Sequence, residues 1–201
     1  MKHLLRVCLL PLIAVLGWEQ AVAQGKPSAL PNRPDALVSR FYEQVVARHP
    51  LGMPYGADMK VFAPYLSKAL RHRLNVSEAC FADWHRQNPD RNLKPPSLLL
   101  EDGLFSGPSE EAEPKAFHIE RTEPGKDGSS RVTVRLTWED PFNKPYIWYV
   151  AAVVVPENGR LVVDDVIYVK HMGGDAGSRL SEALSSGCNG ARWVGEGPEP
   201  R

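Results

Sequence analysis

Two adjacent carboxylates, Asp164 and Asp165, interrupt the run Leu161 to Val169, whose other members are apolar or aromatic. An acid in such a run is costly unless it is paired or hydrogen-bonded. The two are therefore the first candidates for a general base or for a carboxylate that holds a ligand, because desolvation would raise the pKa of either one. Tyr149 and Tyr168 stand close enough in the pattern to supply a phenol beside a carboxylate, a pairing that can do acid/base work. The structural alternative is a carboxylate bonded to an arginine or to backbone N–H groups, with aromatic rings that only pack. Alternation along a strand sends the two aspartates to opposite faces. With Asn158-Gly159 as a two-residue turn, Asp165 lies opposite Ala152 and shares a face with Val150, Val154, Val163 and Ile167. Asp164 then shares the other face with Val153, Val162 and Val166, and with Tyr149 and Tyr168. We expect Asp165 to face the enclosed side, where the small Ala152 leaves room for its carboxylate, although the pattern alone does not decide between the two acids.

Other reactive residue types lack the spacing their chemistry needs. His49, His72, His85, His118 and His171 form neither H-x-H nor H-E-x-x-H, and the thirteen positions between His72 and His85 put them on different sides of a helix, so no metal site is expected. His118 is expected beside Arg135 on the wet face of a hairpin. No serine sits in G-x-S-x-G, and the glycines from Gly173 to Gly177 before Ser178 lack the Lys-Ser or Lys-Thr ending of a phosphate loop. No catalytic residue is assigned and no cofactor is implied.

Lys+Arg 24 balance Asp+Glu 24, so bulk charge gives no reason to expect nucleic acid or an anionic membrane surface as partner. A chain of 201 residues with 43% hydrophobic content can bury a real core and suits one domain. Residues 1–23 read as a cleaved signal peptide: Lys2 and Arg6 form a basic start, Val7 to Gly17 is almost wholly apolar, and Ala21-Val22-Ala23 offers small residues ahead of a cut before Gln24. Glu19 and Gln20 interrupt the stretch before it could span a bilayer, so no membrane attachment is expected after cleavage, and the periplasm is the expected location. Cys8 leaves with the signal peptide, and Cys80 and Cys188 remain as a pair in a compartment that favours disulfides. Closing a loop of roughly 110 residues could stabilise the fold by about 4–5 kcal/mol on the chain-entropy model.

The elements that must position these groups are legible in outline. Residues 24–33, with Pro27 and Pro31, read as a linker, and Pro34 suits the first turn of a helix. Leu37, Val38, Phe41, Tyr42, Val45 and Val46 recur at helical spacing up to His49-Pro50. A loop follows, then a second helix in which Leu66, Leu70, Leu74, Phe81 and Trp84 repeat, with Ser67 as cap and Pro89 as stop. Beyond Pro95-Pro96 the period changes to two. Val132, Val134, Leu136 and Trp138 oppose Arg131, Thr133, Arg135 and Thr137, a strand with one core face and one wet face. A strand around Phe117 and Ile119 precedes it, and Tyr146 to Val155 and Leu161 to Val169 follow as a hairpin. A short helix from Ser178 to Ser186 ends at Gly187, and residues 189–201 read as a loose tail. The fold class is α+β: N-terminal helices packed on a curved antiparallel sheet of about four strands, with a short C-terminal helix, as one domain over residues 34–188.

The motifs Val38-Ser39-Arg40-Phe41-Tyr42, Tyr65-Leu66-Ser67-Lys68-Ala69-Leu70 and, most distinctively, Gly159-Arg160-Leu161-Val162-Val163-Asp164-Asp165-Val166-Ile167-Tyr168 carry a resemblance. Over residues 34–188 the chain resembles an uncharacterised family of exported bacterial proteins, a domain of unknown function with a nuclear-transport-factor-2-like, or cystatin-like, fold. The resemblance implies a cone of curved sheet around a helix-lined cavity, and it implies no activity. Enzymes of related fold use carboxylates in that cavity, and related domains often pair through the outer sheet surface. The leading expectation is a periplasmic, non-enzymatic binding module that takes a small ligand in the cone or a protein partner on the sheet; a homodimer through the outer sheet face, where Arg131, Thr133, Arg135 and Thr137 stand, is one form of this. The alternatives are an immunity-type inhibitor of a toxin acting in the periplasm, and a small isomerase- or dehydratase-like enzyme.

Overall fold

The computed structural model describes residues 31–54, 56–90, 93, 103–107, 113–139, 144–170 and 177–195. The expected signal peptide with Cys8, most of the expected linker, Pro95-Pro96, His171 and Gly173-Gly174 lie outside the described residues.

Helix α1 spans Pro34–Arg48. Proline suits its start because its missing N–H would find no partner in the first turn. Asp35 in that turn is bonded by Arg33 at 2.6 Å. The apolar stripe Leu37, Val38, Phe41, Tyr42 and Val45 is buried, and burying such side chains contributes about 1.5–3 kcal/mol each. His49 ends the helix in the left-handed region at φ 45° and donates its N–H to the Val45 carbonyl. Helix α2, Gly56–Phe62, occupies part of the stretch expected as loop and buries Phe62. Its signal is short and diluted by Gly56 and Asp58, which hides it from a periodicity search. Helix α3 spans Lys68–Gln87, and the Ser67 hydroxyl accepts from the Leu70 N–H at its start, as its cap position requires.

Four strands follow: β1 Ala116–Pro124, β2 Ser130–Trp138, β3 Tyr146–Glu157 and β4 Arg160–Lys170. They form one antiparallel sheet in the order β1-β2-β3-β4. Asn158 and Gly159 take φ of 52° and 77°, the double positive pair that a tight hairpin between twisted strands demands. Helix α4, Leu180–Ala183, is shorter than the helix expected there. Part of the expected loose tail is ordered instead: β5 Cys188–Asn189 pairs with β6 Arg192–Trp193 in a small second sheet. The fold is thus α+β, with helices on a four-stranded antiparallel sheet.

Helix α1 covers the inner face of the sheet, to which Val132, Val134, Leu136, Trp148, Val150, Ala152, Val154, Val166 and Tyr168 contribute. Both ends of the outer edge of β4 are occupied. Val163 donates to the Tyr65 carbonyl and accepts from Ser67, while Tyr168 donates to Ser178 and accepts from Gly177. Covering an edge in this way removes a template for unwanted strand pairing. The Cys80–Cys188 disulfide, with Cα atoms 6.1 Å apart, ties α3 to β5. Nearby, the Asp83 carboxylate accepts from the Trp193 N–H at 2.9 Å, and that bond above all holds its pKa below the ordinary value.

Candidate functional site

The decisive local event in β4 is one extra residue. Val154 pairs with Val163, but Val153 pairs with Asp165, so Asp164 is left over as a β-bulge. A bulge reverses the parity of the side chains that follow it, here Asp165 to Tyr168, up to a second register shift at Val169, because strand side chains alternate with period two. Asp165 therefore stands across from Val153, not Ala152, and turns away from the core shared by α1. Tyr168 moves to the inner face opposite Val150, whereas Tyr149 stays on the outer face across from Arg135. The two tyrosines expected on one face are separated by the sheet.

Asp165 is 4% exposed although it lies on the outer face, because the 177–181 segment folds over it. Both carboxylate oxygens are used twice. Oδ1 accepts from the backbone N–H of Val166 at 2.9 Å and of Ser181 at 3.0 Å. Oδ2 accepts from Arg179 Nε and from the Ser181 hydroxyl, each at 2.8 Å. This is the structural role of a buried carboxylate, a charge held by an arginine and backbone amides. Asp164, the bulge residue, accepts the Ser67 hydroxyl proton at 2.6 Å, so the serine that caps α3 is also tied to β4.

The interior holds a feature that the sequence pattern did not flag. The segment Gly103-Leu104-Phe105-Ser106-Gly107 closes a tight turn, with the Gly107 N–H on the Gly103 carbonyl at 2.8 Å, and inserts between α1 and the sheet. Leu104 and Phe105 are fully buried, and the Phe105 ring lies 5.0 Å from that of Phe41 and 5.1 Å from that of Phe62. Three successive carbonyls of this segment each accept a side-chain proton: Leu104 from the Tyr168 hydroxyl at 2.9 Å, Phe105 from the Tyr42 hydroxyl at 2.9 Å, and Ser106 from Trp148 Nε1 at 2.6 Å. A buried loop must find partners for its backbone, and these aromatic donors provide them. Burial, and secondarily the nearby Tyr168, pushes the Tyr42 phenol far above its ordinary pKa, so it remains a donor. Gly107 needs its glycine: its φ is 97°, and a Cβ there would come within 3.3 Å of the Tyr168 ring. The available signal was a pair of apolar residues bracketed by glycines, too short for any periodicity.

The outer face has a different character. His118 stands across from Arg135, as expected, and Arg135 pairs with Glu120 at 2.9 Å. Thr133, expected to be wet, is 7% exposed at the centre of this face, hemmed in by its strand neighbours Arg121 and Ala151. Its hydroxyl oxygen and Arg131 Nε are both buried and have no hydrogen-bond partner among the described residues. Ile147, on the same face, is 41% exposed.

Of the other histidines, His49 lies 3.9 Å from Glu113, and His72 and His85 lie on α3. Among the described residues, no group of three His, Cys, Asp or Glu side chains is placed to hold a metal ion, and no helix is long and apolar enough to cross a membrane. No protein-family model, curated protein or solved structure matches this chain.

Proposed function

We propose that this chain is an exported, periplasmic binding module of the nuclear-transport-factor-2-like kind, non-enzymatic, which meets a protein partner on the outer face of its sheet. The observation that carries this reading is the pair of buried polar atoms at the centre of that face, Thr133 Oγ1 and Arg131 Nε, with no partner among the described residues. A buried unpaired donor or acceptor costs about 1–3 kcal/mol, and a partner recovers it only if docking lets the Thr133 and Arg131 side chains turn outward to meet it. Exposed Ile147 and half-buried Tyr149 and Val153 surround the pair with apolar area of the kind that docking surfaces use.

The interior favours the same choice over a small ligand in the cone, since among the described residues Leu104 and Phe105 are packed into the core with α1 and the sheet. It also supports binding over acid/base chemistry at the candidate residues. The oxygens of Asp165 are saturated, Oδ1 of Asp164 accepts from Ser67, and the Tyr168 hydroxyl donates to Leu104. An immunity-type inhibitor is the version of this reading in which the partner is a toxin, and a homodimer is the version in which it is a second copy.

A photo-crosslinking amino acid placed at Tyr149, on the sheet face, and separately at Glu78, on the exposed side of α3, tests the reading in periplasm-targeted protein. A discrete crosslinked species is expected from position 149, lost on Thr133→Arg and absent from position 78. Equal yields from both positions, or none from 149, would overturn it. Intact-mass analysis of the same preparation should find the chain starting at Gln24.

A further inference from the structure

Away from the sheet, α3 and the α4–β5 segment enclose a cleft of about 300 Å³ beside the disulfide, a volume at the lower end of small-molecule sites. Its floor is apolar: Val76 of α3, Leu184, which is 3% exposed, and Cys188 of the disulfide. His72 and Arg73 stand at its rim on α3, both exposed. Neither has an ion pair or hydrogen bond among the described residues, in contrast to Arg48, paired with Asp58, and Arg86, paired with Asp83. The rim hydroxyls do not neutralise this charge, since Ser185 donates to the Ser181 and Glu182 carbonyls within its own turn. The carboxylates that could approach are engaged elsewhere: Glu182 accepts from the Arg179 N–H, and Asp165 is saturated on the far side of Ser181.

We infer that this cleft binds a small organic carboxylate with an apolar body, its carboxylate on Arg73 and His72 and its hydrocarbon part on Val76, Leu184 and the disulfide. A guanidinium offers a planar fork that matches a carboxylate in two bonds, which a neutral headgroup cannot reproduce. The small volume limits the body to a short chain or a single ring. The disulfide gives the cleft a fixed wall, because it fastens β5 to α3 across from the rim. The inference is independent of the sheet-face reading, since no residue of the cleft lies on β1, β2 or β3.

Octanoate and 1-octanol serve as probes, titrated into the oxidised protein and followed by saturation-transfer NMR. Octanoate should bind saturably at one site and roughly tenfold more tightly than 1-octanol, the margin that a hydrogen bond to a charged group supplies. Arg73→Glu should weaken octanoate by at least about tenfold and leave 1-octanol nearly unchanged. Val76→Trp, which fills the floor, should abolish both; Val76→Ser, which keeps the space open and removes apolar surface, should weaken both. Unchanged far-UV circular dichroism confirms that each variant is folded, and Arg73 is exposed enough to be replaced without loss of the core. The inference is overturned by equal affinity for the acid and the alcohol, by octanoate binding that survives Arg73→Glu, or by no saturable octanoate binding at all.

Discussion

The two faces of the sheet handle polar atoms in opposite ways. On the inner face Trp148 and Tyr168, with Tyr42 reaching across from α1, bring three side-chain donors into a dry interior, and each meets a carbonyl of the 104–106 segment. On the outer face Thr133 Oγ1 and Arg131 Nε are also buried, yet nothing among the described residues answers them. The inner face is closed and consists of structure. The outer face leaves these two buried atoms without a partner among the described residues. Asp165 marks the boundary between the two cases: it lies on the outer side of the sheet but has its own cover in Arg179 and Ser181.

Phe105 carries the largest share of the closed inner face. If the 103–107 segment is part of the core, Phe105→Ala should cost about 3–5 kcal/mol in chemical denaturation, and a loss below about 1 kcal/mol would show that the interior does not depend on it. Replacing both Cys80 and Cys188 with serine should lower stability by about 2–4 kcal/mol. Near-UV circular dichroism should nevertheless retain the aromatic signal of the inner face, because the bridge joins α3 to β5 outside it; collapse of that signal would mean the two regions are not separable. Asp165→Asn should cost about 1–3 kcal/mol, since the amide keeps two backbone acceptances but loses the charged bond to a partly exposed Arg179. Stability unchanged by this substitution would remove Asp165 from the structural side of the boundary.

The sharpest contrast lies between two single hydroxyls. Tyr168→Phe strips the Leu104 carbonyl of its donor in a dry site and should cost about 1–2 kcal/mol. Thr133→Val replaces a buried hydroxyl that has no partner among the described residues with a methyl of the same shape, so stability should rise by about 1–3 kcal/mol. Thermal melts of the two variants side by side measure the difference directly, and similar losses would mean that the outer face is as complete as the inner one.

What the sequence determined by itself were the features that depend on near neighbours. Pro34 starts α1, Ser67 caps α3, and Asn158-Gly159 turns β3 into β4, because each works through backbone geometry within a few residues. The alternation through Val132, Val134 and Leu136 was equally plain, and Cys80 and Cys188 were left as the pair once Cys8 was expected to leave with the signal peptide. The faces of Asp165 and Tyr168 were not legible, since a single extra residue at Asp164 reverses the alternation and no local pattern announces it. The same holds for the 103–107 segment, whose few residues show no period and gain their place only from Phe41, Phe62, Tyr42, Trp148 and Tyr168, all distant in the chain. A hydrogen bond to a carbonyl some forty or sixty positions away exists only once the chain has folded, so only the tertiary structure could decide that the 103–107 segment joins the core and that Asp165 turns away from it.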